Sequence, residues 1–126
     1  MEITVTTLWC WRCKVDIPML DDDEWALLAR AGAGRDRARA FEILRSEAAA
    51  RGLAAPRPVP PDAGGIDARM WHLIAGYEMF TGVRETNVNA IPHHVASMYG
   101  PPCPACGKPL RTPKARLCAA CGWGMA

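Results

Sequence analysis

A mainly α-helical fold with a small β component is predicted by three observations. Three segments place apolar side chains at helical spacing, which is typical of helices that pack on one core. Residues 54–65 carry four prolines and predict a surface loop between two of these segments. The six cysteines form three Cys-x-x-Cys pairs. The prediction is a three-helix core with an amino-terminal Cys-x-x-Cys knuckle and a carboxyl-terminal four-cysteine ribbon.

The amino-terminal residues 3–9 are rich in β-branched types and predict a short strand. This strand leads directly to Cys10 and Cys13. Because Pro18 lacks an amide donor and fixes φ, no helix is expected before residue 21. The first cysteine pair is therefore expected at the end of a strand.

Capping signals locate the first helix. Asp21 and Glu24 are spaced as a reciprocal N-terminal cap for a helix over residues 22–31. Gly32 and Gly34 can adopt left-handed backbone angles, so they are expected to end this helix.

Two further helices flank the proline-rich loop. One is predicted over residues 35–51 and ends at Gly52, whereas the other is capped by Asp67 and closes near Gly82. Their apolar faces are expected to carry Ala38, Phe41, Leu44 and Ala48 in the former, and Met70, Leu73, Ile74, Tyr77 and Phe80 in the latter. Residues 84–94 show no helical period and predict irregular structure.

The last two cysteine pairs predict a zinc site. Each pair has two residues between its thiols and a glycine after its second cysteine, a pattern that lets both sulfurs face one ion. The 11 residues between the pairs suffice for a short hairpin. The predicted ligands are Cys103, Cys106, Cys118 and Cys121. Four thiolates leave no position for water, so the zinc is expected to be structural. Unpaired buried cysteines are the alternative, which this spacing does not favour.

The first pair, Cys10 and Cys13, has two interpretations. A tryptophan before Cys-x-x-Cys is typical of a thioredoxin-type redox site, but the helix and the βαβ context that such a site needs are missing. The other interpretation is a second zinc site completed by histidines, with His93 and His94 preferred over His72. The residue types suit zinc, whereas their spacing follows no fixed rule. Histidines bonded to the backbone or packed on a helix remain the alternative.

Charge and targeting signals narrow the classes of function. The net charge of +2 and the pI near 8.3 are too mild to require a polyanionic partner. No apolar run approaches the roughly 20 residues that span a bilayer, and no secretory signal is recognisable, so a cytoplasmic protein is expected. No nucleophile, base and orienting group occur together, so no enzymatic activity is expected. Residues 100–126 contain four cations and no acid: Lys108, Arg111, Lys114 and Arg116.

Several segments resemble a group of small bacterial zinc-ribbon proteins. The segments are Cys10-Trp-Arg-Cys13, Ile17-Pro-Met-Leu-Asp21, residues 80–91, His93-His94 and residues 99–113. The resemblance covers both ends of the chain, whereas residues 30–65 are not distinctive, and only the four ribbon cysteines carry over residue by residue. Some of these proteins are encoded beside polymorphic or type VI secreted toxins, which implies an immunity role.

The expected function is that of a zinc-stabilised protein-binding module, an immunity protein that binds and neutralises a cognate toxin. The alternative is a nucleic-acid-binding zinc-ribbon protein, a regulator or accessory factor that uses the basic hairpin. Residues 1–99 are expected to form the helical domain with its knuckle, and residues 100–126 the ribbon, packed as one unit.

Overall fold

A computed structural model describes residues 6–33 and 36–124 of the chain. Its elements in chain order are β1 (Thr6–Cys10), β2 (Val15–Met19), α1 (Asp22–Ala33), α2 (Arg37–Arg51), α3 (Gly65–Arg69), α4 (Trp71–Thr81) and two 3₁₀ helices, Val88–His93 and Ala96–Met98. The predicted mainly α-helical fold with a small sheet is therefore confirmed.

The two strands form an antiparallel hairpin in which Cys10 lies opposite Val15. Lys14 closes the turn, since its φ is 61° and its backbone amide donates to the carbonyl of Cys10 at 2.6 Å. Pro18 is accommodated in β2 because a two-stranded sheet leaves one edge of each strand unpaired. The sequence did not predict β2, and residues 3–5 of the predicted strand lie outside the described residues.

The reciprocal cap predicted at the start of α1 is present. Asp21 accepts a hydrogen bond from the amide of Glu24 at 2.7 Å, and Glu24 accepts one from the amide of Asp21 at 2.8 Å. The helix continues through Gly32, where the ring of His72 from α4 occupies the place that a Cβ would take. Gly32 therefore permits close helix packing and does not end the helix, while Gly34 lies outside the described residues.

The buried face of α2 differs from the predicted one. Ala40, Leu44 and Ala48 are buried at intervals of four residues, whereas Ala38 is exposed and Phe41 is half-buried. The prediction was wrong in including Ala38, because the core-facing stripe begins two residues later. Phe41 consequently lies at the edge of the core and contributes to a surface cavity.

The predicted third helix consists of two helices. α3 begins after Gly64, so Asp67 is not its cap, and Met70 with φ −105° and ψ 18° separates α3 from α4. α4 is buried on most of its surface and packs against α1 and α2. Gly82 ends it with a φ of 77°, as predicted. Among the residues that the structure describes, no helix is both long and apolar enough to cross a membrane.

A long-range connection brings the residues after the first 3₁₀ helix to the end of the hairpin. Leu20 and Val95 form an isolated parallel bridge. The amide of Leu20 donates to the carbonyl of His94 at 2.7 Å, and its carbonyl accepts from the amide of Ala96 at 2.9 Å. His94 is thereby fixed beside the hairpin that carries the first cysteine pair.

Candidate metal centres

Four cysteine thiols converge near the carboxyl end, and we call them the four-thiol cluster: Cys103, Cys106, Cys118 and Cys121. Their sulfur atoms all lie within 4.8 Å of one another. The sulfurs of Cys103 and Cys121 are 3.7 Å apart, and those of Cys106 and Cys118 are 3.6 Å apart. A tetrahedral ion bound at about 2.3 Å separates its thiolates by about 3.8 Å. The cluster therefore has the dimensions to hold one tetrahedral metal ion.

The two Cys-x-x-Cys-Gly segments have matching backbone conformations. Gly107 and Gly122 have φ values of 83° and 82°, the left-handed region for which the sequence pattern requires glycine. Their amides donate to the carbonyls of Cys103 and Cys118 at 2.8 and 2.9 Å. Each turn is thus closed by its glycine, which leaves both of its thiols directed to the shared site.

The segment between the last two cysteine pairs, residues 107–117, contains no strand, so the short hairpin predicted there is not confirmed. Cys103 and Cys118 are buried together with Leu110, whereas Cys106 and Cys121 are exposed. Among the residues that the structure describes, few apolar side chains support this part of the chain, and Ala115 is the partly buried one that packs on the buried residues. A bound metal ion would therefore be the main link between the two turns.

Backbone amides influence the protonation of the four-thiol cluster. The amide of Cys121, assisted by that of Ala120, lowers the pKa of Cys118 to about 7. The amide of Trp123 acts to lower the pKa of Cys121, but desolvation and the neighbouring thiols raise it to about 12. Cys118 therefore ionises near neutral pH, whereas Cys121 gives up its proton only when a metal ion binds.

A second group, which we call the mixed cluster, consists of Cys10, Cys13 and His94. One ligand atom from each lies within 4.8 Å of the other two. The sulfur of Cys13 is 3.4 Å from Nε2 of His94, close to the separation of about 3.5 Å between a thiolate and an imidazole on one tetrahedral ion. Cys10 and His94 are fully buried, whereas Cys13 is half-buried. This cluster could also hold a metal ion.

The imidazole of His94 has bonding capacity that the described residues do not use. Its Nδ1 is buried and has no hydrogen-bond partner among them. The ring lies 5.5 Å from that of Tyr77, whose hydroxyl donates to the carbonyl of Pro18 at 2.6 Å. Burial lowers the pKa of His94, so its ring is held in the neutral form that metal ions require.

His93 was expected to share the ion with His94, but the structure places its ring outside the group of three. Nε2 of His93 lies 3.1 Å from Nη1 of Arg12, and the ring meets that of Trp11 edge-on at 5.5 Å. Consecutive residues of a helical turn point in different directions, which explains why only one of the two rings reaches the thiols. His72, the less favoured candidate, packs against Gly32.

Burial dominates the electrostatics of the mixed cluster. Desolvation, followed by the charge and hydrogen bond of Cys10, raises the pKa of Cys13 to about 11. Glu85 adds to this upward shift, whereas the positive charge of Arg12 opposes it. The thiol of Cys13 therefore keeps its proton near neutral pH until a metal ion binds.

Two basic side chains of the loop between the last two cysteine pairs lie on two tryptophans of the amino-terminal hairpin. Nζ of Lys108 is 4.9 Å from the ring centroid of Trp9, and Cζ of Arg111 is 4.0 Å from that of Trp11. These cation–π contacts were not predicted from the sequence. A signal was present in the two tryptophans that flank Cys10, because aromatic faces can bind cations such as those of the basic segment between the last cysteine pairs.

Comparisons with protein-family models, with curated proteins and with solved structures found no match.

Proposed function

We propose that the chain is a protein-binding module stabilised by structural zinc, and that it acts as an immunity protein that binds and neutralises a secreted toxin. The observation that carries the proposal is an apolar surface cavity of about 460 Å³ between α2, the proline-rich segment and the α3–α4 region. Its volume lies within the range of roughly 300 to 1,000 Å³ that is usual for binding pockets.

Zinc is the metal that best suits the four-thiol cluster. Tetrahedral thiolate sites select zinc or iron–sulfur clusters, and pairs of thiolates joined by tight turns are common in structural zinc sites. With few apolar residues around the cluster, zinc binding would supply much of the folding free energy of this part of the chain. Its proposed role is to hold the two carboxyl-terminal cysteine turns rigidly together.

The walls of the cavity are apolar and partly exposed. Phe41 and Ala38 contribute the edge of α2 that the core does not cover, and Trp71 contributes the start of α4. Val59, on the opposite wall, is 45% exposed. Prolines before and after Val59 restrict the loop, so this wall loses little conformational entropy when a partner binds. These features favour a site into which a large apolar side chain of a partner inserts.

The rim of the cavity is positively charged. Arg37, Arg45 and Arg69 line it with a single acid, Glu42, which pairs with Arg45 at 3.7 Å. Within the described parts of the chain, neither Arg37 nor Arg69 has an ion pair. Charge complementarity therefore favours a partner segment in which carboxylates flank the apolar side chain.

Nucleic-acid binding, the alternative that the sequence suggested, has less support. Two of the four cations of the carboxyl-terminal segment, Lys108 and Arg111, have partners within the chain in Trp9 and Trp11. This gives them a structural role that does not require phosphate. Protein binding is for that reason the function we propose.

The test is to co-express the chain with the protein encoded by the adjacent gene and to measure their affinity by calorimetry. We expect a stable complex that suppresses the toxicity of the partner. Val59→Glu and the double substitution Arg37→Glu with Arg69→Glu should each weaken it by about tenfold or more, since both alter the cavity or its charge.

Arg30→Glu provides a matched control, because Arg30 is an exposed arginine of α1 that does not line the cavity. It should leave the affinity unchanged. Circular dichroism would establish that all variants keep their helices. Absence of a complex would contradict the immunity role, and a complex insensitive to both cavity variants would contradict the proposed binding surface.

A further inference from the structure

The mixed cluster supplies three metal ligands where the four-thiol cluster supplies four. No further histidine, cysteine or carboxylate of the described residues joins Cys10, Cys13 and His94 within ligand distance. Structural zinc sites usually have four protein ligands, whereas sites with three keep a position for water or another small ligand. By the number of their ligands, the four-thiol cluster matches a structural metal site and the mixed cluster matches a site with an open coordination position.

Two side chains of suitable chemistry for a fourth ligand have other partners. His93 lies against Arg12 at 3.1 Å and contacts the edge of Trp11. The carboxylate of Glu85 accepts a hydrogen bond from the amide of Asn87 at 3.0 Å. Closing the site with either side chain would require breaking these contacts.

The mixed cluster is reachable from one side. Cys10 and His94 are fully buried and close the interior side of the site, whereas Cys13 in the hairpin turn is half-buried. A small ligand can therefore approach an ion at this site next to Cys13 without any movement of the core.

The charges around this approach favour an anion. Two thiolates and a neutral imidazole offset the charge of a divalent ion completely. Arg12 lies in the same turn, between the two cysteines, and Arg111 lies on the adjacent Trp11 at 4.0 Å. Glu85 offsets one of these two positive charges, which leaves the surroundings positive.

We propose that the mixed cluster binds one divalent metal ion through Cys10, Cys13 and His94 and presents its fourth coordination position to a small monodentate anion such as a carboxylate. This inference rests on the metal binding that the proposed function includes, but not on any protein partner. It makes the amino-terminal centre a ligand-binding site and the carboxyl-terminal one a structural site.

The experiment replaces zinc by cobalt(II) in the full chain and follows the visible d–d absorption during a titration with azide. Tetrahedral cobalt held by four thiolates has no position for azide, so its bands should stay constant. The bands of the second bound cobalt should shift with azide in a saturable manner. His93→Ala should show the same shift, and His94→Ala should lose it together with the second cobalt.

Two results would overturn the inference. If the chain binds one cobalt only, the mixed cluster is not a metal site. If the second cobalt binds but responds to azide only in His93→Ala, then His93 is the fourth ligand in the wild-type protein. Neither result depends on the toxin-binding experiment, so failure of this inference is distinguishable from failure of the immunity role.

Discussion

The two cysteine clusters differ in how far apart their ligands lie along the chain. Cys103 and Cys121 of the four-thiol cluster are 18 residues apart, whereas Cys13 and His94 of the mixed cluster are separated by 81. The first cluster needs only two tight turns and the 11-residue loop that joins them. The second needs the hairpin, the Leu20–Val95 bridge and the first 3₁₀ helix to be in place. The ligands of the first cluster can therefore be predicted from the spacing of the cysteines, whereas the histidine ligand of the second can be identified only from the folded structure.

The clusters also differ in what supports them. The residues around the mixed cluster form an apolar group of their own, in which Cys10 packs with Ile17, Met19 and Tyr99. The four-thiol cluster has Leu110 and little else. We therefore expect the mixed cluster to keep its backbone without metal and the four-thiol cluster to lose it.

The largest expected effect comes from removing one exposed thiol of the four-thiol cluster. Cys106→Ala should abolish its metal binding and unfold residues around both turns, since structural zinc contributes on the order of 10 kcal/mol to such small modules. Cys13→Ala is the matched variant and should lose the other ion while the amides of β1 and β2 stay protected. Zinc analysis and amide hydrogen exchange measure both, and equal loss of protection in the two variants would contradict the difference.

A smaller effect is expected from the two neighbouring histidines in the metal-free protein. His94→Ala removes a fully buried ring and should lower the free energy of unfolding by about 2 to 4 kcal/mol. His93→Ala removes a half-buried ring and should cost less than about 1 kcal/mol. Urea denaturation in the presence of a chelator measures both values. Equal losses would show that the two rings are equally important to the packing.

The third comparison concerns protons released by metal binding. At about pH 6.5 the pKa of Cys118, near 7, leaves that thiol mostly protonated, and the lowered pKa of His94 leaves its ring mostly neutral. Zinc should displace more protons from the four-thiol cluster than from the mixed cluster, because it needs four deprotonated thiols at the first and two deprotonated thiols with a neutral imidazole at the second. Affinity therefore falls with decreasing pH at both sites, and more steeply at the four-thiol cluster.

Calorimetry in buffers of different ionisation enthalpy measures these numbers. Cys13→Ala isolates the four-thiol cluster and Cys106→Ala isolates the mixed one. Equal proton release in the two variants would contradict the assigned ligand sets.

The smallest effect concerns the contact between the two ends of the chain. Arg111→Ala removes the guanidinium from the face of Trp11 and should destabilise the zinc-bound protein by about 0.5 to 1 kcal/mol. Arg116→Ala is a suitable control, because Arg116 is exposed in the same loop and has no such contact in the described residues. Thermal unfolding would detect the difference, and identical stabilities would show that the cation–π contact contributes nothing measurable.

Features set by neighbouring residues were predictable from the sequence. The cap between Asp21 and Glu24 and the glycine ends of α2 and α4 depend on local backbone geometry. The four-cysteine ligand set belongs to the same class. Each of these features involves residues that are close together in the sequence, so the local sequence pattern is enough to predict it.

Features set by tertiary packing were not predictable. Nothing local distinguishes His93 from His94, and the choice between them follows from the Leu20–Val95 bridge. The role of Gly32 depends on His72, forty residues away, and not on its own helix. Likewise, β2 forms although it contains Pro18, because pairing with β1 requires a donor on one edge only.

The distance between Cys13 and His94 also has a consequence during protein synthesis. At about 5 to 20 residues per second, a ribosome takes roughly 4 to 16 seconds to add the 81 residues that separate them. Throughout this interval Cys10 and Cys13 are free thiols without their histidine partner, open to oxidation or to capture by a thiol-binding metal. Cys121 is added within about 4 seconds of Cys103, so the thiols of the four-thiol cluster wait a shorter time for their complete ligand set.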